Sequence, residues 1–413
     1  MSDKYFSLLV RTSHDFPSLS WACLLSMFRH IEENGLEKTH LTLSHAGFSP
    51  NSSKIFLPRS VQPKKHGHVL NEIQKSKLNI EQSIIEVYKK AAGVEIDTLN
   101  LLYANLVIKR SRLGWVKFFN NYLRLRKGWP IALREHASSN IFENIYSHEG
   151  FDDGNRDELV TVIMPAFNNA DTVNYAAGSI LNQTHKNLEL IIVDDCSSDT
   201  TEQACKKILD SDSRVKYLRN QKNSGAYFSR NRGLEISNGK YITVLDADDW
   251  SFPQRISYQL SRLTVNKNIK AHLGYYLRVR DSGLFTAYRI CGKFSYDGAL
   301  HKCLASLMVD ADFMKNNLGY WDSVRFGADS ELYSRILKIC GEAGVIEEPV
   351  PLMLALDREG SLTTAEGSKL GSKDRMEYAA SFTKWHDHFP EKLKIEFPLT
   401  ERPFPAPELM VVR

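Results

Sequence analysis

The stretch Tyr241-Ile-Thr-Val-Leu-Asp-Ala-Asp-Asp-Trp250 decides how the rest of the chain is read. Its first five residues are rich in β-branched and aromatic side chains and predict a buried strand. That strand runs directly into Asp246, Asp248 and Asp249. Acids at a strand's carboxyl end lie at the sheet edge where open α/β folds bind ligands. Carboxylates this close repel one another unless a positive group sits among them. A hard divalent cation, held by one or two carboxylates and the phosphate oxygens of a substrate, meets that need. The competing reading is a solvated acidic turn, because aspartate is common in turns.

The sequence upstream repeats the pattern. Val160 to Met164 is a short apolar run that ends at Pro165, and Asp171 is placed to cap a helix carrying Val173, Ala176, Ala177, Ile180 and Leu181. Leu188 to Val193 predicts a second strand, ending in Asp194-Asp195. Ser197 to Thr201 offers capping side chains, Val215 to Leu218 predicts a third strand, and Ala226 to Ile236 a helix. This alternation argues for a mainly parallel sheet with helices on both faces. Two acidic strand ends, Asp194-Asp195 and Asp246 to Asp249, then face one crevice, an arrangement suited to a nucleoside diphosphate and a metal. Neither a G-x-G-x-x-G after the first strand nor a G-x-x-x-x-G-K-[ST] occurs, which argues against dinucleotide and P-loop sites.

The bulk properties set outer limits. The chain has 413 residues, enough for two or three domains, with 42% hydrophobic and 25% charged residues, an ordinary globular balance. A net charge of +4 gives no argument for nucleic acid. No run of eighteen apolar residues predicts a membrane span, and residues 1–9 make a poor signal peptide. Six scattered cysteines without a C-x-x-C pair fit reduced thiols, so the expected location is cytoplasmic.

Four regions are expected: a poorly patterned segment and linker at 1–67, an α-helical domain at 68–150, an α/β domain at 157–365, and a C-terminal helix and tail at 366–413. Apolar residues recur at helical spacing between 69 and 123, the last run being Trp115, Phe118, Phe119, Tyr122 and Leu123. That run is also basic, with Lys117, Arg124, Arg126 and Lys127. It reads either as a charged outer face on a normal core or as a helix lying on an anionic membrane. The tail after Pro390 carries no signal.

Five motifs occur in order: Val162-Ile-Met-Pro-Ala-Phe-Asn168, Ser179-Ile-Leu-Asn-Gln-Thr184, Val193-Asp-Asp-Cys-Ser-Ser-Asp199, Asn223-Ser-Gly225 with Ser229-Arg-Asn231, and Leu245-Asp-Ala-Asp-Asp249. Together they resemble the inverting glycosyltransferases of family 2, over about residues 158–363. The resemblance implies a GT-A fold behind a helical N-terminal extension. It also implies transfer of a sugar from a nucleoside diphosphate donor to a glycan or lipid-linked glycan, as in bacterial surface polysaccharide synthesis. It further implies Mn2+ or Mg2+ and a place in the cytoplasm or at the inner face of the membrane.

By the same resemblance, Pro165, Ala166, Phe167, Asn168, Asp194, Asp195, Arg230 and Arg358 border the nucleotide. Asp246 and Asp248 form the D-x-D pair, with Asp248 on the metal and Asp246 on the ribose or a coordinated water. In Arg325-Phe-Gly-Ala-Asp-Ser-Glu-Leu332 the family's Glu-Asp is here Ala328-Asp329, which leaves Asp329 as the base and Glu331 in reserve. Ser361 and Thr363 join Arg358 in a loop over the diphosphate. Inversion needs one carboxylate to accept the acceptor's proton while the metal offsets charge on the leaving diphosphate. Two rivals remain: a non-catalytic scaffold that binds nucleotide or glycan, and a sugar nucleotidyltransferase. The latter calls for a basic, glycine-rich first loop, unlike Pro165 to Asn168.

Overall fold

The computed structural model describes residues 98–109, 111–135, 138–147, 150–151, 157–287, 294–358 and 371–412. The expected helices before residue 98, and Ser361 and Thr363, lie outside the described residues. Helices α1 (Leu99–Val107) and α2 (Arg112–Leu125) come first. Ser111 caps α2 by accepting from the Gly114 amide at 2.9 Å, and Trp115, Phe118, Phe119, Tyr122 and Leu123 are buried as their spacing predicts. Strand β1 (Ala132–Leu133), the turn of helix α3 (Ile141–Asn144) and strand β2 (Ile145–Tyr146) follow, with β1 and β2 pairing antiparallel. This small sheet was not apparent from the sequence, since two-residue strands carry no period.

Strands β3 (Val160–Ala166), β4 (Leu188–Asp194) and β5 (Val215–Arg219) join β6 (Tyr241–Val244) in a parallel array ordered β5-β4-β3-β6. β3 and β4 are buried along their whole length, which explains continuous apolar runs in place of alternation. Helices α4 (Val173–Leu181), α5 (Thr201–Ser211) and α6 (Ala226–Glu235) connect these strands. The second half of the sheet is mixed. It contains β7 (Trp250–Ser251), β8 (Ala271–Val279), β9 (Phe285–Thr286), β10 (His301–Lys302), β11 (Met308–Asp310) and β12 (Val345–Leu356). There β11 runs antiparallel between β6 and β8, while β12 lies parallel to β8. Helices α7 (Arg255–Leu263), α8 (Ala328–Cys340) and α9 (Lys373–His388) complete the elements used below. The mixed α/β class is therefore as expected.

Some local expectations are corrected. β3 does not stop before Pro165: it continues to Ala166, pairing Pro165 with Val193. The last β6 pairing is Ile163 with Val244; the Leu245 amide still donates to the Ile163 carbonyl at 3.1 Å, and Pro165, with no amide to give, ends the ladder there. Asp171 is exposed and does not cap α4. The turn is held instead by Asn169, whose carbonyl accepts from Thr172 and Val173. One apolar cluster joins α1 and α2 to the sheet through Trp115, Phe119, Tyr275, Leu277 and Phe285. A second gathers α8, α9 and the tail residues Phe404 and Met410 around β6 and β11. Among the described residues no helix is long and apolar enough to cross a membrane.

Candidate functional site

Beyond β6 the chain turns through Asp246, Ala247, Asp248 and Asp249, and the Asp249 amide donates to the Asp246 carbonyl at 3.1 Å. The three carboxylates diverge. Asp249 is buried and its Oδ1 accepts from the Leu356 amide at 3.0 Å, tying the turn to the end of β12. Burial, then the charges of Asp248 and Asp246, push its pKa well above the usual carboxylate range. Asp248 Oδ2 lies 3.0 Å from Arg358 Nη2. Burial raises its pKa to about 6, with Arg358 opposing and Asp246 adding to the rise. Asp246 Oδ1 accepts from Arg230 Nη2 at 2.7 Å.

Arg230 joins two parts of the chain. Its position on α6 leaves it 3% exposed, with Nη1 donating to Asp329 Oδ1 at 2.5 Å while Nη2 holds Asp246. Burial works against its charge, yet Asp329 and Asp246 more than offset this and hold it firmly protonated. Tyr227, one turn earlier, donates to Asp329 Oδ2 at 2.8 Å, and the guanidinium lies 4.9 Å from its ring centre. Asp329 itself sits in the first turn of α8 behind Gly327, whose φ of +94° is a left-handed conformation that only glycine adopts freely.

These groups line a cleft of about 420 Å³ that contains Tyr227, Arg230, Asp246, Asp249 and Asp329. Sequence reasoning missed several of its other walls, notably Arg278, Arg325 and Arg375. Tyr227 was recoverable as the residue three before Arg230 on one helical face. Arg278 and Arg375 lie on β8 and α9, and only tertiary packing brings them here. Glu331, the reserve base, is fully buried, with Oε2 2.9 Å from Arg335 and Oε1 3.0 Å from His386. It serves the core, not the cleft.

The other expected residues form a neighbouring loop system. Asp194 is fully buried, accepting from the Ser197 amide at 2.8 Å and from Tyr217 and Arg219 at 3.0 Å each. All of those are structural bonds that hold the β4 end. Asp195 binds the Asn223-Ser-Gly225 turn, accepting from the amides of Ser224 at 2.8 Å and Gly225 at 2.7 Å and from Asn220 Nδ2 at 2.6 Å. Pro165 and Ala166 end β3, and the Asp195 amide donates to the Ala166 carbonyl at 2.8 Å. Phe167 is 45% exposed, and Asn168, at φ +53°, accepts from the Ser198 amide at 2.9 Å. An exposed ring beside this loop is a surface on which a base can stack.

Among the described residues no three His, Cys, Asp or Glu side chains converge to hold a metal. Asp246 and Asp248 each present a carboxylate with one oxygen engaged by a guanidinium. A hard cation shared with substrate phosphates needs only one or two protein carboxylates, so this pair fits that use.

Comparison with known proteins bears on this region. Residues 161–289 match the model of the family described as "Glycosyl transferase family 2". The Escherichia coli "UDP-Glc:alpha-D-GlcNAc-diphosphoundecaprenol beta-1,3-glucosyltransferase WfgD" is 35% identical over 148 residues, 36% of this chain and 57% of that protein. The Escherichia coli WfaP, which carries the same activity name, is 33% identical over 162 residues, covering 38% of this chain and 63% of that one. The chain thus spans less than two thirds of the length of either relative. A solved mannosyltransferase from Pyrobaculum calidifontis, in complex with GDP-Man and Mn2+, superposes with a TM-score of 0.40 at 16% identity, over 64% of this chain and 71% of that one. The motifs along β3, β4, α6 and β6 lie in the stretch that the family model matches, so residues 161–289 are similar to a glycosyltransferase family 2 domain.

Proposed function

We propose that the chain moves a sugar from a nucleoside diphosphate donor to a hydroxyl of a glycan acceptor, with inversion and with a divalent metal. The observation that carries this reading is Arg230, whose single guanidinium holds Asp246 and Asp329 at one cleft. Asp329 accepts the proton of the acceptor hydroxyl as its oxygen bonds to the anomeric carbon. The bond from that carbon to the diphosphate breaks on the opposite side, and the diphosphate leaves. Tyr227 and Arg230 orient both oxygens of Asp329 for that transfer. Asp248 and Asp246 would hold Mn2+ or Mg2+, which when bound offsets the charge of the departing diphosphate. Asp195, Asn168 and Phe167 border the base, and Arg358 approaches the phosphates by charge-assisted bonding. The diphosphoundecaprenol acceptor named for the relatives supports a lipid-linked glycan here, and with it a place at the membrane surface.

A scaffold reading draws on one feature: both oxygens of Asp329 already accept hydrogen bonds. Incubating the purified chain with UDP-sugars and Mn2+, and following donor hydrolysis or transfer, separates the two. Turnover is expected, with Asp329→Asn and Asp248→Asn each lowering it at least about a hundredfold. Absence of turnover, or full activity in both variants, overturns the assignment.

A further inference from the structure

The cations that line the cleft fall into two sets. Arg230 is held by Asp246 and Asp329, and Lys302 lies 2.6 Å from Glu347. Arg278, on β8, lies 3.8 Å from Asp357 and donates to the Leu356 carbonyl at 3.4 Å. Arg325 and Arg375 belong to the Asp329 side. Arg325 stands four residues before Asp329 and is exposed, and its Nη1 donates to Asn223 Oδ1 at 3.2 Å. That partner is a neutral amide, which does not cancel the charge. Arg375 reaches the same wall from the first turn of α9. Its guanidinium lies 5.0 Å from the ring centre of Phe326, the neighbour of Arg325 in sequence. Burial lowers the pKa of Arg375, and Tyr227 and Asp329 oppose the fall, so its charge lies close to both.

In the proposed displacement the acceptor oxygen meets the anomeric carbon on the face opposite the leaving diphosphate. Asp329 marks the acceptor's side, while Asp246, Asp248 and Arg358 mark the donor's. Positive charge beside Asp329 therefore serves the acceptor. A neutral glycan seated there would strip water from two guanidinium groups and return no counter-charge. A phosphate offers oxygens that match their forked donors. We propose that Arg325 and Arg375 bind the diphosphate of a glycosyl diphosphate acceptor, one sugar ring away from the hydroxyl presented to Asp329. The inference deepens the lipid-linked reading given above. Its test contains no sugar donor, so it holds or fails whatever the transfer assay shows.

The full chain is titrated by calorimetry in EDTA, which keeps any metal from drawing a diphosphate to Asp246 and Asp248. Three probes with the same tail are compared: octyl α-N-acetylglucosaminyl diphosphate, octyl α-N-acetylglucosaminide and octyl glucuronide. The diphosphate is expected to bind at least about thirtyfold more tightly than either of the others, as two charge-assisted contacts allow. Arg325→Gln should weaken diphosphate binding about tenfold. Arg325→Gln with Arg375→Gln should reduce it to the level of the neutral glycoside and leave glycoside binding unchanged. Arg325→Lys with Arg375→Lys should recover part of the preference, because the charge remains. Arg325 is exposed, so its single variant carries the test even where the double variant fails to fold. Equal affinity for the three probes, a glucuronide bound as tightly as the diphosphate, or an Arg325→Gln chain with undiminished preference each overturns the proposal.

Discussion

At the scale of single residues, Arg230 decides the geometry of the site. A planar guanidinium with two parallel donors spans two carboxylates, something a lysine ammonium does less well. Removing it would leave Asp246 and Asp329 facing each other without a counter-charge. The two carboxylates left behind are partly exposed, so the loss falls below that of a fully buried pair, to about 2 kcal/mol. Arg230→Ala should therefore lower unfolding free energy by about that amount in urea melts, and also abolish transfer. Arg230→Lys should recover part of the stability and little of the activity. Equal stability in all three proteins would show that the bridge does not form in solution. The sequence placed Arg230 near the nucleotide by resemblance. Its grip on Asp329, 99 residues away, was not legible.

At the scale of elements, α7 is fastened to β12 and β8 through Glu348. Its carboxylate accepts from Tyr258 at 2.7 Å and Arg262 at 3.0 Å, and His272 Nε2 lies 3.4 Å away. The bond from His272, then those from Tyr258 and Arg262, draw its pKa down to about 2 against the effect of burial. Burial keeps His272 below its ordinary value, so it serves as a neutral donor. A depressed carboxylate contributes stability above its unfolded pKa, near 4.3, and loses it as pH falls through the folded value. Glu348→Gln should then cost about 1–2 kcal/mol at pH 7, the side chain being partly exposed, and almost nothing near pH 2. Paired melts of parent and variant across that range measure the difference. A penalty independent of pH would assign the effect to packing. Nothing in the Glu347-Glu348 dipeptide announced this role, because a charged pair at a strand start reads equally as a solvated edge.

At the scale of the whole molecule, the tail from residue 390 onward is structural, where its proline-rich sequence gave no signal. Arg402 pairs with fully buried Asp322, which also accepts from Tyr378 at 2.9 Å. The Arg325 amide donates to the Met410 carbonyl at 2.8 Å, and Met410 is fully buried. The tail therefore braces residues 320–326, the run that leads through Gly327 to Asp329. Arg402→Ala should lower unfolding free energy by about 3 kcal/mol, since burial already raises the pKa of Asp322 and the loss strands its charge. Ending the chain at residue 400 should further expose α8 to limited proteolysis. Unchanged melting of the first variant would remove the bracing role.

Periodicity and strand-end chemistry settled much before any coordinates. Local apolar patterns marked α2, the four parallel strands and α9, because burial on one face or both leaves its period in the chain. The acids at the ends of β4 and β6 were visible for the same reason. Their duties were not. Asp194 and Asp195 hold neighbouring loops, Glu331 is locked to Arg335 and His386, and Asp246 shares a guanidinium with Asp329. A carboxylate's role depends on which donor reaches it, and several of those donors lie far along the chain, Arg219 25 positions from Asp194, Gly225 30 from Asp195 and His386 55 from Glu331. Sequence alone fixes which groups exist and where a strand ends. Only the packed sheet, with α6 and α8 laid beside it, decides which charges meet.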